Sequence, residues 1–476
     1  MRSKGGLATS ASRRRGAWPR GCENTARSIG SRFVVPSLIL AFFSLLFSAS
    51  VALADSASVL PKGRSTASVD NLFYFPTTQR WNTHGNAEDI AAAFDNRNLD
   101  SSVFPLLAAL NPFVPGGNAS IGTSSVDFTY NYNILDFGFA YGITDRLTAG
   151  IDIPQYTVHN KVGASLTGSG ANVGLSTGSG GPCGNAPVRP LLIPGTTIPC
   201  PNTRRFTTGD VQQLLGPGIQ TPTGSVPGFG FKPVQDFRAD GLGDITAALK
   251  YQYLRTEDWR LAATLGARFP TGRQDDPNNL ADIPWSPGNY AVLLRLHHDY
   301  VISNLWKGRP AAETPILREG DLVLNFTFRF DWNLPTDVTV RVGTPDNPIT
   351  RNEEPVTRDF GDKFEFELAA KYELVQGFSV SALYKYGFKL EDRITSNPLG
   401  FPVQVLEKDT DSTEQLFIIG FNYSTLPLYL EKKFPIPLDI SLVYRDRFAG
   451  SGPSNAASPS QILKTRYIGL GLAVRF

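Results

Sequence analysis

The chain closes on KTRYIGLGLAVRF, Lys464 to Phe476. Taken alternately, Ile468, Leu470, Leu472, Val474 and Phe476 share one face, and Tyr467, Gly469, Gly471, Ala473 and Arg475 share the other. A period of two is that of a strand with one apolar face and one polar or small face. A soluble sandwich rarely leaves an aromatic residue as the last member of an apolar stripe. The closing strand of an outer-membrane barrel has this form, apolar towards lipid and polar towards the lumen.

The other end supplies an address. Residues 1–32 hold eight Lys/Arg and one acid, residues 33–47 are the longest apolar run, and Ala52-Leu53-Ala54 precede Asp55. That order predicts a secretory signal peptide over residues 1–54 and a mature chain over 55–476. The mature chain has 37 basic and 42 acidic residues, a net charge of −5, although the full chain carries +2. It offers no basic surface for nucleic acid. No other stretch reaches the ~18 continuous apolar residues of a transmembrane helix. With 45 Gly, 31 Phe and little helical periodicity, the chain is expected to be all-β, with many short strands and turns.

Matched alternating runs recur. Leu147, Ala149, Ile151 and Ile153 oppose Thr148, Gly150 and Asp152; Leu249, Tyr251 and Tyr253 oppose Ala248 and Lys250. Phe326, Phe328 and Phe330 oppose Thr327 and Arg329, and Phe364, Phe366 and Leu368 oppose Glu365 and Glu367. Tight turns at Thr144-Asp145-Arg146, Arg255 to Trp259 and Val375-Gln376-Gly377 alternate with long polar stretches near 80–123, 160–240, 271–288, 334–361, 391–412 and 449–462. Short periplasmic turns alternating with long extracellular loops are a barrel's pattern. A weaker first strand near Thr66 to Phe75 brings the count to twelve antiparallel strands. A phase slip at Ile134-Leu135 is expected to be a bulge; a hairpin there would make fourteen. Trp81, Trp285 and Trp332 fall near the outer rim and Trp259 and Trp306 near the periplasmic rim, as aromatic girdles would.

Four segments carry a family likeness: LPKG at Leu60 to Gly63, YGITDRLTAGIDIP at Tyr141 to Pro154, GLGDITAALKYQYL at Gly241 to Leu254, and FPTGRQDD at Phe269 to Asp276. They resemble the meta-pathway phenol-degradation-associated outer-membrane proteins, relatives of FadL-like transporters. The resemblance implies a barrel that passes small hydrophobic or aromatic molecules. No amino-terminal hatch sequence is evident.

Candidate chemistry is sparse. Cys183 and Cys200, in the long loop 160–240, are expected to form a disulfide in an oxidising compartment, worth about 3 kcal/mol in the chain-entropy model. His297 and His298 are adjacent on a strand, so they face opposite sides and cannot share a metal. No nucleophile–base pair is evident, so no enzyme, cofactor or metal site is expected. Lys250, Arg268, Arg329, Glu365, Glu367, Lys371, Lys385 and Arg445 fall on the inward parity, either as a wet charged ladder or as a salt-bridged brace. In the first outer loop, Phe104, Leu106, Leu107, Leu110 and Phe113 form either a lid or capture patch over the mouth, or a layer packed on the long loop. A short helix from Ala87 to Phe94, capped by Asn86, would precede them. The expected protein is a monomeric outer-membrane diffusion channel for hydrophobic or aromatic solutes. Alternatives are a narrow charged pore for polar or anionic solutes and a non-conducting barrel that displays its loops for adhesion or assembly. Expected partners are outer-membrane lipid, lipopolysaccharide and, through the strand ending in Phe476, the barrel-assembly machinery.

Overall fold

A computed structural model describes residues 56–179, 185–191, 200, 202–308, 317–343, 349–396, 398–453 and 461–476. Twelve antiparallel strands close into a barrel: β1 Ser65–Tyr74, β2 Tyr132–Thr144, β3 Leu147–Thr167, β4 Ile245–Arg255, β5 Trp259–Phe269, β6 Ala291–Val301, β7 Leu322–Asn333, β8 Lys363–Val375, β9 Phe378–Lys389, β10 Ser412–Ser424, β11 Leu438–Ser451 and β12 Arg466–Arg475. Closure is made at β1, which pairs with both β12 (Thr66 opposite Arg475) and β2 (Thr66 opposite Ala140). No sheet edge is left in the barrel, which is the condition for crossing lipid with strands. The weak-looking first strand is therefore the seam.

Alternation fixes which face meets lipid. Leu265 is 61% exposed and Leu368 58%, while their strand neighbours Thr264 and Glu367 are buried. Large apolar residues on the outside and polar ones within are the inverse of a soluble core, and the signature of a membrane barrel. No described helix is long and apolar enough to cross a membrane. Periplasmic turns are short: Asp145-Arg146, residues 256–258 and Gln376-Gly377. Gly377 has φ +84°, and a Cβ there would lie 2.5 Å from the Ser424 carbonyl oxygen, so the turn requires glycine. The two longer connections hold single helical turns, Asn304–Lys307 and Leu426–Leu430.

Several local expectations are corrected. Pairing runs without a break through Ile134 and Leu135, opposite Leu72 and Asn71, so no bulge lies there. The apparent slip arises because Ile134 is an apolar residue pointing inward, where it is buried. The chain breaks instead at Tyr130-Asn131, and the preceding Thr123–Thr129 pairs with the upper part of β3, Lys161–Thr167. Strand β3 is thus 21 residues long and rises past the barrel, flanked by Thr123–Thr129 and Phe237–Leu242. These flanking strands extend the wall without making the barrel fourteen-stranded. Ala87–Asp89 is a strand paired with Gln79–Trp81, followed by turns, in place of the expected helix. Trp332, Trp259 and Trp306 are exposed at the rims, but Trp81 is buried among the loops and Trp285 stacks on Tyr156. The outer loops need those two rings for their own core.

That core forms a cap. Val103, Phe104 and Leu107 of the first loop pack with Val173, Leu175, Leu214 and Phe229 of the long one. Helix α1, Thr208–Leu215, supplies Leu214; Thr207 caps it, and Asp210 returns a hydrogen bond to complete a capping box.

Candidate functional site

Between cap and barrel lies a cavity of about 430 Å³. Its floor is the top of the inner wall: Tyr74, Tyr132, Ile134, Tyr156 and Arg445. These residues sit at the outer ends of β1, β2, β3 and β11, where the inward parity turns from polar to aromatic. Its sides are Val126, Phe128, Val162 and Ala164 on the raised strands, and its roof includes Leu99, Phe104, Val211 and Leu215. The rings are ordered: Tyr74 stacks on Tyr132 at 3.9 Å between centroids, Tyr130 lies 4.6 Å from Tyr132, and Tyr156 and Trp285 are parallel within 4°. Such walls match flat apolar molecules. A ring burying about 200 Å² there would gain about 5 kcal/mol before the cost of immobilisation. Binding in about the millimolar range results, weak enough to release what it takes.

An apolar strip leads down from this floor. Tyr74 and Ile134 belong both to the cavity and to a cluster of inward residues that continues through Leu416, Ile418, Leu383 and Val443. Beside the strip the inner wall is charged, and many of its charges are paired. Glu365 meets Lys363 at 2.8 Å and Lys385 at 2.7 Å; Glu414 meets Lys363 at 2.9 Å and Arg447 at 2.8 Å. Arg329 pairs with Glu367 at 3.1 Å, Arg295 with Asp331 at 2.6 Å, and Arg268 lies 3.6 Å from Asp244.

At the periplasmic end the chain's own residues 56–60 lie inside the bore, held against the inner wall by β3, β4 and β6. Ala57 is fully buried. Its amide donates to both Asp299 oxygens at 3.0 Å, and Ser56 Oγ donates to the same carboxylate at 2.7 Å. Lys250 Nζ and Gln252 Nε2 donate to the carbonyls of Ser56 and Ala57 at 2.9 and 2.8 Å, and Leu60 N donates to Thr148 Oγ1 at 2.8 Å. A strap thus does the work of a hatch, although SASVL carries no pattern that announces one.

The predicted residues fall as follows. Lys250 holds the strap; Arg268, Arg329, Glu365, Glu367 and Lys385 lie in the paired network; Lys371 faces inward opposite Ser381; Arg445 reaches the cavity floor. Of the lid residues, Phe104 lines the cavity, Leu107 is buried in the cap, Leu106 and Leu110 pack against the cap core, and Phe113 is exposed. The lid segment is a 3-10 helix, Pro105–Phe113, held under the long loop. Cys200 is buried, and Cys183 lies outside the described residues, as does the expected signal peptide. His298 faces outward against Phe326, while His297 is buried inward, 2.8 Å from Thr264 Oγ1. Sequence reasoning missed Lys363, Glu414 and Arg447. Glu414 is followed on the inward face of its strand by Leu416, Ile418 and Gly420, which interrupt the polar alternation that would mark it.

Three acids line the cavity's outer side. Asp276 pairs with Lys232 at 2.5 Å and Asp282 with Arg273 at 2.8 Å. Asp275 lines the cavity with an exposed side chain; the protein crowded around its carboxyl, with Asp282 and Asp276 beside it, pushes that group up to about 7. Arg358 and Arg273 oppose the shift without cancelling it. Because the folded form holds this proton more tightly than the unfolded one, its contribution to stability falls as pH rises from the ordinary carboxylate range through about 7. Trp285 on the same wall should report the titration. Its fluorescence, isolated by difference from Trp285→Phe, is expected to change with a midpoint near neutrality and to lose that step in Asp275→Asn.

No family model matches the sequence, and no curated protein matches it. Among solved structures the chain is similar to an outer membrane channel from Pseudomonas putida F1, at 13% identity and TM-score 0.45, covering 90% of this chain and 100% of that one. It is also similar to the toluene transporter TbuX of Ralstonia pickettii (10% identity, TM-score 0.30, 87% and 90% covered) and to the toluene transporter TodX of Pseudomonas putida (11%, 0.31, 90% and 95%). Likeness at this level carries no weight of its own, and the barrel rests on its strand pairing.

Proposed function

We propose that this is an outer-membrane channel through which small hydrophobic or aromatic molecules diffuse. A solute enters the capped cavity, follows the apolar strip inward and passes when the strap moves aside. One observation carries the proposal: Tyr74 and Ile134 belong to both cavity and strip, so packed apolar side chains continue from the cavity floor into the bore. The ion-paired inner wall weighs against an open ladder for polar ions, since Glu365, Glu367 and Glu414 already hold cations. A cleaved signal peptide, a Cys183–Cys200 staple on the long loop and a monomeric state accompany the proposal.

The test fills the cavity without touching the bore. Ala164 lines the raised wall, and Ala164→Trp would occupy much of the space. N-phenyl-1-naphthylamine, a neutral dye that intact outer membranes exclude, should enter cells making the barrel faster than cells without it. With Ala164→Trp, entry should return to the rate of cells lacking the barrel. Dye entry that ignores the barrel, or that ignores the filled cavity, would sink the proposal.

A further inference from the structure

The cavity floor holds a cation that no carboxylate of the wall answers. Arg445 contacts the Tyr74 hydroxyl at 3.3 Å and lies over the Tyr467 ring, 5.3 Å from its centroid. Two residues on, Arg447 gives Nη2 to Glu414 and Nη1 to the Leu463 carbonyl, both at 2.8 Å. Glu414 is also claimed by Lys363, so it cannot neutralise Arg445 as well. Among the described residues, the Nε atoms of both arginines are buried without a hydrogen-bond partner. A guanidinium brought out of bulk water needs an anion or a full set of acceptors, and one cation–π contact offsets only part of that requirement. Two guanidinium groups line this floor, and among the described residues Arg445 has no carboxylate within ion-pair distance, so a solute carboxylate would find charge-assisted donors there.

From this we infer that the channel prefers aromatic molecules bearing a carboxylate, the ring held among the stacked tyrosines and the acid on Arg445 and Arg447. The inference rests on the channel proposal and narrows its solute class. Ring and acid sites are adjacent, because Tyr74 and Tyr132 stack on each other and Tyr74 accepts from Arg445. A second chamber of about 300 Å³ adjoins the first across Trp285 and Arg447 and contains Arg268, Lys363 and Lys389. That chamber is also lined by Asp331 and Glu414, so an acid leaving the arginines meets polar, ion-paired groups rather than bare hydrocarbon. On the opposite, outer side, Asp276 and Asp282 are each held by a cation and repel an incoming anion little.

The test compares two probes of one shape, 2-naphthoate and 2-naphthamide, titrated calorimetrically into the full barrel in neutral-lipid nanodiscs. The cavity-filled Ala164→Trp barrel serves as the blank for lipid partitioning. The naphthoate is expected to bind about tenfold or more tightly than the amide, the scale of a charge-assisted hydrogen-bond pair. In Arg445→Gln that ratio should fall to about one, and in Arg445→Lys it should be intermediate. Equal affinities in the unaltered barrel, as expected if only buffer anions fill the floor, would overturn the acid preference and leave the channel proposal standing. If neither probe binds, both fall. The probe pair decides on the unaltered barrel even if Arg445→Gln does not fold.

Discussion

A barrel beginning at Pro61 is expected to pass a steady current in a planar bilayer where the full mature barrel is quiet, and to admit N-phenyl-1-naphthylamine faster. The strap's hold on the lumen is concentrated on few groups. Asp299 accepts from Ala57 N and Ser56 Oγ and is itself steadied by Asn325 Nδ2 at 2.8 Å; Lys250 and Gln252 grip the strap's carbonyls from β4, two strands away from Asp299. Hydrogen bonds to charged groups contribute about 1.5–3 kcal/mol each and neutral ones about 1 kcal/mol, so the strap gains on the order of 6–11 kcal/mol. Ordering five residues costs about 1–2 kcal/mol apiece, on the order of 5–10 kcal/mol. The two nearly cancel, which is what a plug that must yield to a solute requires. A partial version of the same outcome follows for Asp299→Asn: brief openings rather than a steady current, because one acceptor remains while the charge is gone. Unaltered conductance after truncation would mean that the bore is closed elsewhere, with the ion-paired wall as the next suspect.

Much of this architecture was legible in the chain, for a physical reason. Lipid outside and water or polar groups inside force a two-residue alternation over a length set by the membrane, and twelve such runs with long and short connections in turn admit few other topologies. The seam was legible too, once the closing strand Arg466–Arg475 required a partner and Ser65–Tyr74 was the segment left. The site was not. Tyr74, Tyr132 and Tyr156 stand at inward positions above the level where polarity is needed, so they break the very alternation that identifies strands; Ile134 even mimicked a bulge. The cavity is assembled from about ten separate stretches of chain, between Tyr74 and Thr465, whose packing no periodicity records. The strap is five unpatterned residues, and its role exists only because Asp299, 242 positions away from Ala57, faces the bore at that height. The first outer loop was read as apolar beyond need, and the structure divides it: Phe104 serves the cavity, while Leu107 holds the cap.

Glu414→Gln is expected to destabilise the barrel by about 3 kcal/mol, read as a lower midpoint of guanidinium unfolding and an earlier loss of heat-modifiable mobility. One carboxylate here answers three cations: Lys363 at 2.9 Å, Arg447 at 2.8 Å and Lys385 at 3.8 Å. Its own side chain is only 5% exposed, and Lys385 and Arg447 are little more so. Removing it leaves two shielded cations with Glu365 as the nearest acid, and Glu365 already holds Lys363 and Lys385. Breaking a shielded pair in this way costs about 3–5 kcal/mol; the lower figure applies because Lys363 keeps 36% of its side chain accessible and can turn to water. The sign of the effect on permeation is opposite. Freed cations beside the bore should shift whatever current the strap-less barrel carries towards anions, an effect that salt would weaken. Glu431→Gln is the control: its partner Lys433 is 2.7 Å away but both lie in water, so breaking that pair should leave the unfolding midpoint where it was. If Glu414→Gln were as silent as the control, the network would be wet in solution, and the wall would then be a selectivity element rather than a brace.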